Sequence, residues 1–107
     1  MPQPVAVFMT FPSLEDANRV ATALVDEHLA ACVNLLPGVR SVFFWEGARE
    51  EATEVLAVAK TTQQRFGDLA ARVKSLHGYS VPEVIALPIV EGNESYLRWL
   101  AETVSKS

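Results

Sequence analysis

Two long apolar runs separated by a charged turn occupy residues 32–61, and they narrow the available folds more than any other stretch. The first run spans Cys32 to Trp45 and the second Val55 to Thr61, with most of the local charge in Glu46 to Glu51 between them. Strand-forming residues on both sides of a polar, glycine-containing turn read as a β-hairpin. Pro37 cannot donate to a strand ladder, so a bulge or edge irregularity is expected at Pro37-Gly38. A small domain has little apolar surface with which to cover the far end of so long a hairpin. Its uncovered edges are templates for pairing with another chain, which points to an oligomer.

The flanking segments complete a regular order. Val5 to Met9 is a short apolar run that reads as a buried strand. Ser13-Leu14-Glu15-Asp16 reads as a helix start, with Ala17, Val20, Ala21, Leu24 and Val25 as the buried stripe. Thr61 and Gln64 have capping-box spacing and open a second helix, whose stripe is Phe66, Leu69, Ala70 and Val73 and whose stop is Gly78. Val84 to Ile89 is a further strand. Gly92-Asn93 then turns into a last helix carrying Tyr96, Leu97, Leu100 and Val104. The order predicts an α+β, ferredoxin-like βαββαβ sandwich with a long central hairpin and a C-terminal helix. Its sheet has four antiparallel strands with the helices on one face. No linker or repeat divides the chain, so residues 1–107 read as one domain.

Composition removes whole classes of function. There are 9 basic and 13 acidic residues, and the formal net charge is -4. Nucleic-acid affinity rests on phosphate neutralisation, so no nucleic-acid partner is expected. Phe43, Phe44 and Trp45 are consecutive and split between two sheet faces, unlike the stacking platform of an RNA-recognition module. The one cysteine allows no intrachain disulfide, no Cys-x-x-Cys metal pair, and fits a reducing compartment. No secretory leader or membrane span is seen, so a cytoplasmic protein without a membrane partner is expected. Nor is there a phosphate-cradling loop, a dinucleotide fingerprint or a recognisable nucleophile–base pairing. The expectation is a binding protein rather than an enzyme, with no organic cofactor.

The resemblance rests on residues spread along the chain in order. They are Leu29-Ala30-Ala31-Cys32-Val33-Asn34, Pro37-Gly38-Val39, Ser41, Trp45-Glu46-Gly47, Glu54, Lys60-Thr61, His77, Tyr79, Val81-Pro82-Glu83 and Tyr96-Leu97 with Trp99. Together they resemble the CutA family of divalent-cation tolerance proteins. The resemblance implies a ferredoxin-like subunit, a homotrimer built by sheet edges pairing around a threefold axis, and tolerance to copper and other divalent metals. It also implies a likeness to PII signalling proteins. The second reading is therefore a regulatory or scaffolding trimer that binds a small anion at subunit interfaces. Some copper-binding relatives carry two adjacent histidines before Pro-Tyr and a cysteine before the first-strand threonine. Here those positions read Leu76-His77-Gly78-Tyr79 and Met9-Thr10, so one imidazole and one thiolate are missing.

Two sets of candidate residues follow. The metal set is His77, Met9 and Cys32. An imidazole is a general transition-metal ligand, and thioether and thiolate suit soft copper. Each also has a structural reading. His77 sits at the predicted end of a helix, and Cys32 and Met9 lie in apolar strands. The cleft set is Trp45, Lys60, Tyr79 and Glu83. Lys60 and Glu83 are charges at the edges of buried runs, which are costly unless paired. They read either as a structural bridge or as a cleft offering a lysine to an anion and a carboxylate to a metal. Glu46, Arg49, Glu50, Glu51 and Glu54 read as a solvated charged turn.

Overall fold

Strictly alternating burial along Pro4–Phe11 makes strand β1, which sends Val5, Val7, Met9 and Phe11 to one side. The computed structural model describes residues 2–105. Met1, Lys106 and Ser107 of the expected domain lie outside the described residues. After β1 come α1 (Leu14–Asp26), β2 (Cys32–Trp45), β3 (Ala48–Thr62), α2 (Gln63–Leu76), β4 (Val84–Pro88) and α3 (Glu94–Thr103). The strands lie in the order β2-β3-β1-β4, and every pairing is antiparallel. This is the expected ferredoxin-like sandwich.

The inner face of the sheet is packed by α1 and α2. Ser13 Oγ accepts from the Asp16 N–H at 3.1 Å, which fixes the start of α1. Ala17, Val20 and Leu24 of α1 and Leu69 and Val73 of α2 are fully buried with Val7, Met9, Ala57 and Ala59. The expected capping role of Thr61 is not realised. Strand alternation turns Thr61 inward opposite Val5, where its hydroxyl donates to the Leu29 carbonyl at 2.7 Å. Thr62 takes the capping position without a side-chain bond. The helix stops at His77, one residue before Gly78.

Two expectations need correction. The helices do not share one face. Leu100 and Val104 are buried with Ala31 in a second cluster, and the Cys32 thiol helps to raise the Tyr96 phenol. Cys32 pairs with Lys60 and Lys60 with Ala6, all on the face opposite Val5 and Val7. So α3 covers one end of the outer face. Beyond it, Phe8, Leu56 and Val58, half-buried, and Leu36, Ile85 and Leu87, exposed, form an apolar stretch of that face.

The second correction concerns the hairpin turn. It is not a charged stretch of six residues but the pair Glu46-Gly47, with φ of 49° and 80°. Both residues lie in the left-handed region, as a two-residue hairpin turn of matching twist requires. Pairing therefore resumes at once, with Trp45 opposite Ala48 and Phe43 opposite Glu50. The hairpin stretches the molecule to 43 Å against 25 and 22 Å in the other directions.

Candidate functional site

The expected irregularity at Pro37-Gly38 decides which side chains meet. The register slips between Leu36 and Val39, with Gly38 at φ 78°. Before the slip, the even-numbered residues Cys32, Asn34 and Leu36 face outward. After it the odd-numbered residues Ser41, Phe43 and Trp45 share the outer face with Glu54. One extra residue thus puts Phe43 and Trp45 on the same sheet face as the Glu54 carboxylate of the neighbouring strand.

The segment between α2 and β4 closes the other side. His77 anchors it. Its Nε2–H donates to the Thr10 carbonyl at 2.7 Å, and its Nδ1 accepts the Tyr79 N–H at 3.0 Å. Its ring stacks on Phe11, with centroids 4.6 Å apart and planes 15° apart. Held this way, Tyr79 donates its hydroxyl to Glu54 Oε2 at 2.9 Å. A cavity of about 770 Å³ lies between this segment and the hairpin, lined by Thr10, Phe43, Trp45, Glu54, Tyr79 and Glu83 among others.

Three of the four cleft residues, Trp45, Tyr79 and Glu83, therefore converge. Lys60 does not join them. It lies level with Ala6, four residues along β1 from Thr10, or about 13 Å at the rise of a strand. Its ammonium donates to Asn34 Oδ1. There is no Lys60–Glu83 bridge among the described residues, and the cavity within this subunit has no basic side chain.

Glu54 takes the place expected of Lys60. The charged-turn reading made it solvated, yet it is 7% exposed. The signal lay in the alternation Glu54, Leu56, Val58, Lys60, which sends all four to one face. It was masked by the charged residues just before it.

The metal set does not converge in the subunit. Met9 is fully buried on the inner face between Ala57 and Val84. Cys32 is a free, half-buried thiol on the outer face, 3.8 Å from Asn34 Oδ1. Both ring nitrogens of His77 are engaged. No group of three histidine, cysteine or acidic side chains stands ready for a metal among the described residues.

The phenol of Tyr79 is pushed up from 10.0 to about 12, first by burial and then by its bond to Glu54. Tyr96 is also raised, by burial and then by Cys32. Folded protein therefore holds these protons more tightly than unfolded chain. The resulting stability is complete below pH 10 and is lost as pH climbs toward about 12. Tyrosinate absorbance should develop at higher pH in the folded protein than in denaturant. Tyr79→Phe should remove the later of the two steps. Two tyrosines titrating together near their ordinary value would contradict the Tyr79–Glu54 geometry.

The family model for the CutA1 divalent ion tolerance protein matches residues 5–103. A divalent-cation tolerance protein CutA of Thermus thermophilus is 53% identical over 96 residues, covering 90% of this chain and 93% of its own. The solved Thermus thermophilus divalent cation tolerance protein superposes with a TM-score of 0.94 at 50% identity, covering 95% of this chain and 99% of that one. The CutA1 crystal structure from Oryza sativa superposes at 0.95 with 42% identity, covering 99% and 97%. A structure described as the periplasmic divalent cation tolerance protein CutA of Archaeoglobus fulgidus gives 0.92 at 41%, covering 95% and 99%.

Proposed function

The chain belongs to the CutA1 divalent ion tolerance family, and from that premise we propose a homotrimer that confers tolerance to divalent metal by binding it rather than by catalysis. The observation that carries the assembly is the uncovered outer face. Ile85 and Leu87 are 51% and 45% exposed beside Phe8 and Val58. A contiguous apolar surface of this kind marks an interface. Sheet edges freed by the long hairpin supply the strand pairing between subunits. The free thiol of Cys32 favours action in the reducing cytoplasm.

Copper is the proposed cargo, with His77 as the contacting side chain. The ring must first surrender its bond to Thr10 or to Tyr79, so binding is weak. Met9 and Cys32 reach it only through rearrangement of the subunit or from a neighbouring one. A metal titration of the purified protein under native mass spectrometry tests the reading. It reports oligomeric state, metal preference and stoichiometry together. The expected result is a trimer that takes up Cu(II) weakly. His77→Ala should lose most of that uptake, and Cys32→Ser should keep it. Loss of copper in Cys32→Ser with stability intact would transfer the ligand role to the thiol. A monomer, or copper uptake unchanged in His77→Ala, would reject the reading.

A further inference from the structure

A second cavity, of about 260 Å³, lies between the first turn of α2 and the last turn of α3. Thr62 follows Lys60 on the outer face, at the end that α3 of the same chain covers. The cavity shares no residue with the hairpin tip or with the apolar stretch assigned to contact between subunits. Among the described residues its one charged lining side chain is Arg65, and no carboxylate belongs to the lining.

Donors of three kinds border it: backbone N–H, hydroxyl and guanidinium. The Gln63 N–H that opens α2 goes to the Gln3 carbonyl at 2.8 Å. The next two, of Gln64 and Arg65, have no acceptor within the helix. A capping side chain would take one of them, but the Thr62 hydroxyl does not. Thr62 is 2% exposed, and its hydroxyl has no hydrogen-bond partner among the described residues. A buried polar group left so is costly, and a ligand that bonds to it offsets the cost. Arg65 donates to Asp68 at 2.9 Å and to the His28 carbonyl at 3.5 Å, which leaves its Nε buried without a partner. The carbonyl end of α3 meets the same cavity. There the Leu100 and Thr103 carbonyls already accept from the Val104 N–H and from His28 Nδ1.

We propose that this cavity binds a small oxyanion of the phosphate class. The N–H groups and dipole of α2 favour negative charge at that point, and the Thr62 hydroxyl and the Arg65 guanidinium add to them. The Gln64 amide, exposed on the first turn, borders the same cavity. The site is separate from His77 as a copper ligand and does not rest on that reading.

Calorimetric titration of the full-length protein with inorganic phosphate, at an ionic strength held constant with chloride, tests the proposal. Binding should saturate with a Kd on the order of 1 mM. Thr62→Val keeps the branched shape and removes the hydroxyl, and should weaken phosphate by about tenfold. Thr62→Ser returns the hydroxyl and should bind as the parent does. Gln64→Glu supplies a second variant should Thr62→Val misfold, and it separates a ligand site from a structural helix end. An acid in the first turn suits the helix dipole, so the melting temperature should hold or rise. Phosphate affinity should nevertheless fall by at least about tenfold, because the new carboxylate repels the anion. No saturable binding at concentrations on the order of tens of millimolar would overturn the proposal. So would phosphate binding indifferent to both Thr62→Val and Gln64→Glu. A structure of the assembly with a second copy filling the cavity would overturn it too.

Discussion

Val58→Asp is expected to break the proposed trimer while leaving the isolated subunit able to fold. Val58 sits near the middle of the outer face, between Asn34 on β2 and Phe8 on β1, with Ile85 beyond on β4. Within one subunit it is only half-buried, so an aspartate there still reaches water. In a homotrimer the same substitution places three carboxylates inside a dry interface. Removing each from water costs several kcal/mol, and the nearest ammonium, that of Lys60, is already held by Asn34 Oδ1. Obligate interfaces of this type exceed about 2,000 Å² and lend the fold much of its stability. Sedimentation should therefore show the parent protein at three times the mass of the 11.7 kDa chain. The variant should sediment as the single chain, with a melting temperature far below the parent's. Ile85→Asp should behave alike, while Glu50→Gln on the exposed hairpin should not. A Val58→Asp protein that remained trimeric with an unchanged melting temperature would show that subunits meet elsewhere.

Much of the fold could be read from the chain because its elements are strongly patterned. The alternation from Val5 to Phe11, the stripe Ala17-Val20-Leu24 and the caps Ser13 and Asn93 each act through neighbours in sequence, and each appears as expected. The misreadings share one cause. Capping-box spacing gives Thr61 a local role, but strand parity fixes its direction and Leu29, distant in sequence, supplies its partner. An amphipathic stripe states which residues of the last helix are buried and not against which sheet face they pack. Glu46 to Glu51 reads as a turn because charge dominates there. In the hairpin Arg49, Glu50 and Glu51 are exposed strand residues, and Arg40 pairs with Glu51 across the strands.

The cleft was partly legible for the same physical reasons. Trp45, Tyr79 and Glu83 stood out as polar or amphipathic residues beside apolar strands, and all three line the cavity. Lys60 shared that signature but lies too far along the sheet, because which end of a strand a residue occupies depends on register. Glu54 depends on a bulge in another strand. Only the slip at Gly38 brings Phe43 and Trp45 onto its side. The sequence shows His77 only as a helix end, whereas its two hydrogen-bond partners are the Thr10 carbonyl and the Tyr79 N–H.

Phe11→Ala should produce the largest loss of stability from a single core change, and it should reach the cleft as well. Phe11 is 1% exposed and is the largest of the fully buried side chains. Truncating such a ring removes its transfer free energy and leaves a cavity, together about 3–5 kcal/mol. The ring is also the surface on which His77 stacks. Without it the imidazole loses one wall, and its bonds to Thr10 and the Tyr79 backbone are no longer held in place. The Tyr79 hydroxyl should then leave Glu54, and its proton should become easier to remove, back toward the ordinary value of 10.0. Denaturant unfolding at fixed chain concentration measures the first effect, since the proposed assembly would make stability depend on concentration. Tyrosinate titration of the folded variant measures the second. Phe11→Leu separates the two, because it keeps much of the volume but removes the aromatic stack. It should cost less than about 1.5 kcal/mol and still shift the Tyr79 titration. If Phe11→Ala lowered stability by the expected amount while Tyr79 titrated as before, the core and the cleft would be mechanically independent. The chain of contacts from Phe11 through His77 to Glu54 would then hold only as geometry.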